Sequence, residues 1–400
     1  MAWELCKLGT VCSFENGDRG KNYPSKSKFV DSGVPFVNAG HLDNAKIQLS
    51  EMNYITEEHF ELLSRGKFFN GDILFCLRGS LGKCAIVNDL EQGAIASSLV
   101  ILRPHESLNS QFLLYYLQSP LCYQMIQKYK GGAAQPNLGA KDLEKFLVPI
   151  PDLSTQKEVV KKFNKAFADI EQVRANTEQN LRNARELFDS YLQQVFSERG
   201  EGYEVKTLKE ISLDFGRGKS KHRPRNDESL YGGQYPFIQT GDVRNSEHVI
   251  KSYAKTYNDK GLSQSKLWPK GTICITIAAN IAETGILDFD ACFPDSVIGI
   301  VVDPKLTSIS YVEFLLQSFK AILKAKGKGS AQDNINLGTF EKMHFPFPSI
   351  EKQNEIVTSL NQLLEATIKL EAVYAKKINS LDELKQSLLQ QAFTGQLTQG

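Results

Sequence analysis

The sequence predicts a mixed α/β (α+β) chain built as a pseudo-two-fold internal repeat, with two globular domains joined by two long antiparallel helices that form an intramolecular coiled coil. Three observations predict this. A set of short motifs occurs twice in the same order at a period of about 200 residues, too long for a solenoid and right for a duplicated domain plus connector. Each copy of the set closes on a Pro-x-Pro. An apolar stripe at coiled-coil spacing then follows each Pro-x-Pro.

The two halves open alike. Trp3-Glu4-Leu5 and Leu8 match Tyr203-Glu204-Val205 and Leu208, and Pro35-Phe36-Val37-Asn38-Ala39-Gly40 matches Pro236-Phe237-Ile238-Gln239-Thr240-Gly241. Gly71-Asp72-Ile73 and Tyr115 to Ser119 then match Gly271-Thr272-Ile273 and Phe314 to Ser318, while the residues between these anchors differ almost completely. The match tightens at Asn137-Leu138-Gly139 against Asn336-Leu337-Gly338 and at Leu143-Glu144-Lys145 against Phe340-Glu341-Lys342. It ends with Pro149-Ile150-Pro151 against Pro346-Phe347-Pro348, then Gln156 against Gln353. Proline cannot sit inside a helix and biases the residue before it toward an extended form, so each Pro-x-Pro marks the exit from a globular domain. The division that follows is residues 1–151 for the first domain, 152–198 for the first long helix, 199–348 for the second domain and 349–400 for the second long helix.

In the second helix, Ile356, Leu360, Leu363, Thr367, Leu370, Tyr374, Lys377, Leu381, Leu384 and Leu388 alternate steps of four and three, as a coiled-coil seam requires. In the first, Val159, Phe163, Ala166, Ile170, Val173, Thr177, Asn180, Ala184, Leu187 and Tyr191 fall on the same steps. A helix of about 45 residues is a rod of about 65 Å, and so long a stripe has to be buried. The other copy in the same chain is the simplest partner; packing of each helix on its own domain, or pairing with another protein, are the alternatives.

Composition restricts function less. The 400 residues, 41% of them hydrophobic, supply a core for each of two domains. The net charge of +1 means that attraction to a polyanion must come from how charge is distributed. Seven scattered cysteines without a Cys-x-x-Cys pair read as reduced thiols of a cytoplasmic protein and offer no zinc site. The N-terminus lacks the pattern of a secretory signal, and no stretch approaches the roughly 20 apolar residues that span a bilayer, so no membrane partner is expected. A phosphate-binding Gly-x-x-x-x-Gly-Lys loop, an Asn-Pro-Pro-aromatic methylation motif and a nuclease-like carboxylate cluster are all missing, so no catalytic residue and no metal ligand is expected. Gly216-Arg217-Gly218-Lys219 lacks the strand and helix that frame a phosphate loop.

Charge is concentrated at matched places in the two halves. Arg217, Lys219, Lys221, Arg223 and Arg225 crowd a Gly- and Pro-punctuated stretch that reads as flexible and phosphate-contacting, and Arg19, Lys21, Lys26 and Lys28 occupy the equivalent place after the first opening strand. A second basic pair precedes the repeated Asn-Leu-Gly: Lys128 and Lys130 in one half, and Lys320, Lys324, Lys326 and Lys328 in the other. Base reading requires paired donors and acceptors, such as Arg on guanine and Asn or Gln on adenine. The candidates are Asn38, His41, Arg78, Ser80 and Lys83 in the first half and Gln239, Asp242, Arg244 and Asn280 in the second, all in or just beyond expected strand ends. Gln135 with Asn137, and Gln332 with Asn334, lie in polar loops that either touch DNA or form turns with their own backbone.

This ordered set, two variable domains each followed by Pro-x-Pro and a long helix ending Leu192-Gln193-Gln194-Val195-Phe196-Ser197 or Leu389-Gln390-Gln391-Ala392-Phe393-Thr394, resembles the Type I restriction-modification specificity subunits over nearly the full chain. The resemblance implies two target recognition domains, each reading half of a bipartite site in double-stranded DNA, with helices that set the half-site spacing and dock two modification (methyltransferase) subunits. It implies that S-adenosylmethionine belongs to those partners and that ATP and Mg belong to restriction/translocase subunits, with no cofactor held by this chain. Two other readings stay open: a coiled-coil scaffold or adaptor without DNA binding, and a recognition module of another restriction-modification class.

Overall fold

The computed structural model describes residues 3–132, 136–197, 202–246, 248–278, 281–320, 322–323 and 336–394. The chain is mixed α/β and divides into two compact units, residues 1–178 with 376–400, and residues 179–375. Each long helix is therefore shared between the two.

In the first unit, the opening strand Glu4–Lys7 pairs antiparallel with Leu147–Ile150, Leu5 facing Pro149. The Pro-x-Pro thus falls in and just after the strand that closes the domain; a two-stranded ribbon has an unpaired side on which proline's missing N–H is tolerated. Two four-stranded sheets stand between these ends. One has the order Asn53–Ile55, Val34–Val37, Gln92–Ile95, Lys67–Phe69, and the other Cys12–Asn16, Leu99–Pro104, Ile73–Cys76, Cys84–Ile86. Arg103 ties them together, donating to both Asp72 carboxylate oxygens at 2.9 and 2.8 Å and to the Lys67 carbonyl at 3.2 Å. Helices Ser110–Leu117 and Pro120–Tyr129 follow, each begun by a side-chain cap, Asn109 and Ser119, that satisfies an orphan N–H of the first turn.

The second unit repeats this order. Glu204–Lys206 pairs with Phe345–Phe347, and Val205 faces Pro346. One sheet runs Lys255–Tyr257, Tyr231–Phe237, Ala291–Cys292, Leu267–Trp268; the other runs Ser212–Arg217, Val297–Val302, Ile273–Thr276, Thr284–Leu287, with Val249–Ile250 added at the edge. The duplication visible as short motifs is therefore a duplication of topology.

The repeated glutamines explain how each long helix is attached. Gln156 is fully buried at the start of the helix Leu153–Ser197; its Oε1 accepts from the Asn109 N–H at 2.8 Å and its Nε2 donates to the Ser107 and Pro151 carbonyls at 3.0 and 2.9 Å. Gln353, in the helix Ile350–Phe393, accepts from the Thr307 hydroxyl at 2.8 Å and donates to the Leu306 and Pro348 carbonyls at 3.2 and 2.9 Å. A buried amide with all three bonds made pins the helix to its domain in one rotation.

Within each unit the two long helices run antiparallel. In the first, Glu171 meets Lys385 and Arg174 meets Asp382; in the second, Arg185 meets Glu371 at 2.7 Å. Val159, Phe163, Phe167 and Ile170 of the first helix join Leu389, Ala392 and Phe393 of the second in the core of the first unit. Phe188, Leu192 and Phe196 join Ile356 and Leu360 in the core of the second.

The inward stripe differs from the one expected. Val173, Leu187, Leu370 and Leu384 are 37, 60, 44 and 47% exposed, and Asn180 and Lys377 also face solvent. Arg174, Leu181 and Phe188, and at the matching positions Glu371, Ile378 and Lys385, face inward in their place. The glutamine pin sets the rotation at the helix start, and from there the inward row follows 3.6 residues per turn, pulling ahead of a strict 3.5 repeat by one position midway. Polar groups are accommodated where the stripe is charged: Lys385 lies 5.3 Å from the Phe167 ring as well as beside Glu171.

All seven cysteines are free thiols, and burial pushes those of Cys12 and Cys84 up to about 12. Among the described residues no helix is long and apolar enough to cross a membrane, and no group of three His, Cys, Asp or Glu side chains is placed to hold a metal.

Candidate nucleic-acid interface

In the first unit the strands Ile73–Cys76 and Cys84–Ile86 are joined by Arg78-Gly79-Ser80-Leu81-Gly82-Lys83. Gly79 and Gly82 have φ of 75° and 87°, the left-handed region that a residue with a Cβ resists, and Leu81 packs on the core below. This leaves Arg78, Ser80 and Lys83 exposed. The loop after Lys130 lies alongside: Arg78 and Gly131 each form a backbone bridge with Asn137, and the Leu138 N–H donates to the Leu77 carbonyl at 2.9 Å. Asn137 and Lys130 are exposed as well. Two stretches far apart in sequence are thus brought together on one ledge.

The loop Asp18–Lys21 is held from within. The Asp18 carboxylate, almost completely buried, accepts from the Gly20 N–H at 2.6 Å and from the Ser64 N–H and hydroxyl at 2.9 and 3.0 Å, and these bonds hold its pKa below the ordinary carboxylate range. Arg19 donates to the Ser97 carbonyl at 3.2 Å, while Lys21, Lys26 and Lys28 face solvent, the last two on a single 3-10 turn. Asp18→Asn is expected to destabilise the protein by about 2 kcal/mol at neutral pH, since a buried charge accepting several hydrogen bonds is replaced by a group that donates. A depressed native pKa means that this stabilisation is full above the unfolded value and is lost as pH falls through the native one. Urea unfolding at pH 7 and pH 3 checks it: the gap between wild type and variant narrows in acid.

Four candidate base readers are placed in turns. The His41 ring, 7% exposed, accepts from the Asn38 N–H at 3.1 Å, and Asn38 Oδ1 accepts from the Gly40 N–H at 2.8 Å. In the second half the Asp242 carboxylate accepts from the Gln239 N–H at 2.8 Å, again as a capping box. The repeated Pro-Phe-x-Asn/Gln motif is a helix start, which is why it recurs. Arg244 is exposed in the last turn of the helix so formed.

The basic stretch 217–225, read as flexible, is pinned along its length. A Cβ on Gly218 would lie 2.2 Å from the Phe293 carbonyl oxygen, so only glycine lets the chain pass. The Ser265 hydroxyl donates to the Lys219 carbonyl at 2.7 Å, and the His222 N–H donates to Gln264 Oε1 at 3.0 Å. All three arginines turn back on protein. Arg217 Nε donates to the Asp295 carbonyl at 2.7 Å, Arg225 Nη2 donates to both Asp295 carboxylate oxygens at 2.7 and 2.8 Å, and Arg223 Nη1 donates to the Ser220 and His222 carbonyls at 2.6 and 2.8 Å. Asp227, bonded to Ser229 and to the His222 ring, is held down to about 2. Lys219 and Lys221 are the side chains of this stretch that point outward without a partner among the described residues. Asp295 was not a candidate from sequence, where nothing links it to a segment on another strand.

Gln135, Asn280, Lys326, Lys328, Gln332 and Asn334 lie outside the described residues.

One scaffold present twice, with dissimilar polar loops on each copy, defines a duplicated recognition protein. The Type I restriction modification DNA specificity domain matches residues 2–179 and again 200–380, and the chain belongs to that family. It is 19% identical to the EcoKI specificity subunit of Escherichia coli, across 99% of this chain and 89% of that one. It is 23% identical to a Methanocaldococcus jannaschii chain provisionally named the MjaX type I restriction enzyme specificity subunit, across 99% and 93%. Among solved structures, a chain from a type I R-M system superposes with a TM-score of 0.80 at 20% identity, covering 99% of this chain and 98% of that one. The HsdS subunit of Thermoanaerobacter tengcongensis superposes with 0.62, also at 20% identity, covering 99% and 97%.

Proposed function

We propose that the chain is the DNA sequence-specificity subunit of a Type I restriction-modification enzyme, each globular domain reading one half of a bipartite site in double-stranded DNA. The observation that carries this reading is the pairing of an unchanging scaffold with unlike loops. Strand order, glutamine pin and capping turn recur, whereas the exposed side chains at equivalent loops differ, as two half-sites of unrelated sequence require.

In this reading the long helices set the half-site separation and dock two modification subunits, with restriction/translocase subunits joining the full cytoplasmic complex. S-adenosylmethionine, ATP and Mg serve those partners. This chain holds no cofactor and breaks no bond; its part is to place a base in front of a partner's active site.

Phosphate contact is assigned to the outward lysines. Lys219→Gln with Lys221→Gln is expected to weaken binding to every duplex alike and to lower the slope of log K against log salt by about two, close to one per neutralised phosphate contact. Titrations of the chain with its modification partner at several salt concentrations measure this, and an unchanged slope removes both lysines from the interface. Arg217, Arg223 and Arg225, already bonded to protein, are expected to add little to that slope.

A further inference from the structure

Resting on that reading, we infer that the two domains grip DNA with different elements. The first uses the hairpin Arg78–Lys83, with Arg78 as a base-reading residue; the second carries Ala278 and Glu283 at the equivalent places and relies on the pinned segment 217–225.

The hairpins are equivalent by position and opposite by charge. Strands Ile73–Cys76 and Cys84–Ile86 match Ile273–Thr276 and Thr284–Leu287, with Phe75 facing Cys84 as Ile275 faces Thr284. Arg78 then corresponds to Ala278 and Lys83 to Glu283. Glu283 accepts from Lys320 Nζ at 2.6 Å, so a carboxylate stands where the first domain offers an ammonium. Against a phosphate backbone the first arrangement attracts, whereas the second offers only a carboxylate already neutralised by a lysine.

The first hairpin is also built to present a side chain. Its two left-handed glycines fix the turn, and Leu81 anchors it to the core. The bridge to Asn137 stiffens its first arm. No Cβ clash requires Gly79, since nothing lies within 4 Å of that position; the conformation alone selects glycine, and the space above it is open. Arg19, Arg217, Arg223 and Arg225 each spend donors on protein acceptors, whereas no hydrogen bond or ion pair engages the Arg78 side chain among the described residues. A guanidinium held out on a rigid ledge keeps both prongs for the O6 and N7 of guanine.

The segment 217–225 is the complementary case. Its first-domain equivalent is fastened by the inward Asp18 and also leaves Lys21, Lys26 and Lys28 outward; in the second domain Asp295 takes up two arginines and leaves Lys219 and Lys221 outward, point charges suited to phosphate.

The test is methylation mapping of the full chain with its modification partner, wild type beside Arg78→Gln, Arg78→Lys and Glu283→Gln, with salt-series binding to duplexes carrying the mapped wild-type site. Both Arg78 variants are expected to lose about tenfold or more of the discrimination at a guanine-containing pair of one half-site, with the other half-site unchanged. Arg78→Lys keeps the wild-type salt slope, which shows a folded protein with its charge retained and its reading lost. Glu283→Gln leaves both half-sites as they were. Arg78 variants that preserve both half-sites, or that weaken all duplexes equally, overturn the assignment, as does a half-site altered by Glu283→Gln. A wild-type complex that neither methylates nor binds a bipartite site overturns the functional reading itself, and that failure is visible before any variant is made.

Discussion

Phe393→Ala, at the last residue of the second long helix, is expected to destabilise the first domain by about 3–4 kcal/mol and to leave the second domain's stability unchanged. Phe393 is 3% exposed, and its ring meets Phe112 at 5.2 Å, Tyr116 at 5.7 Å and Trp3 at 6.3 Å. The final turns of the second helix thus complete a core whose other members come from the beginning of the chain. Removing a buried aromatic ring loses its transfer free energy and leaves a cavity that helix and domain close only in part. Hydrogen exchange followed by mass spectrometry should show amides of Ser110–Tyr129 opening early while those of Ile309–Ser318 keep their protection. The mirror variant is Phe196→Ala, whose ring packs on Tyr311 at 5.3 Å in the second unit, and it should reverse the pattern. Equal loss of protection in both units would refute the assignment of each helix end to the opposite repeat.

The other large effect concerns spacing. Removing two turns, seven residues, from each long helix at facing positions shortens the helix pair by about 10 Å at 1.5 Å per residue. The unread spacer between half-sites is then expected to shrink on the order of two or three base pairs while the half-site sequences stay as they are. Both domains keep their glutamine pins and reading loops, because the deletion touches neither. Methylation mapping reads out the result, and altered half-sites with an unchanged spacer would rule out the helices as the ruler. Successive major-groove faces recur every roughly 34 Å, so a change of this size also rotates one half-site relative to the other, and methylation should slow as well as shift.

Much of the fold was legible because its signals are local and occur twice. Pro-x-Pro, the repeated Pro-Phe motifs and the glutamines at 156 and 353 recur in register, although Asn38 and Gln239, base-reading candidates by sequence, stand in capping turns. The candidate interface was legible in part. Arg78, Ser80 and Lys83 stand exposed just beyond a strand end, the position that marks them as candidates, but reading the sequence could not distinguish Arg217, Arg223 and Arg225 from the lysines between them. All five look alike as positive charge, and what separates them is the acceptors beside the arginines, Asp295 for Arg217 and Arg225 and the Ser220 and His222 carbonyls for Arg223.

By itself the sequence determined the duplication, the long helix after each Pro-x-Pro and the alternation of constant and variable segments, since these depend on local propensity and on comparison of one half with the other. Tertiary structure decided which row of each helix faces inward, which core the last turn of the second helix completes and which basic groups remain available to a ligand. Those outcomes depend on acceptors and rings brought close from distant parts of the chain, and a hydrogen bond or a packed ring is settled by distance in space, which periodicity along the chain does not encode.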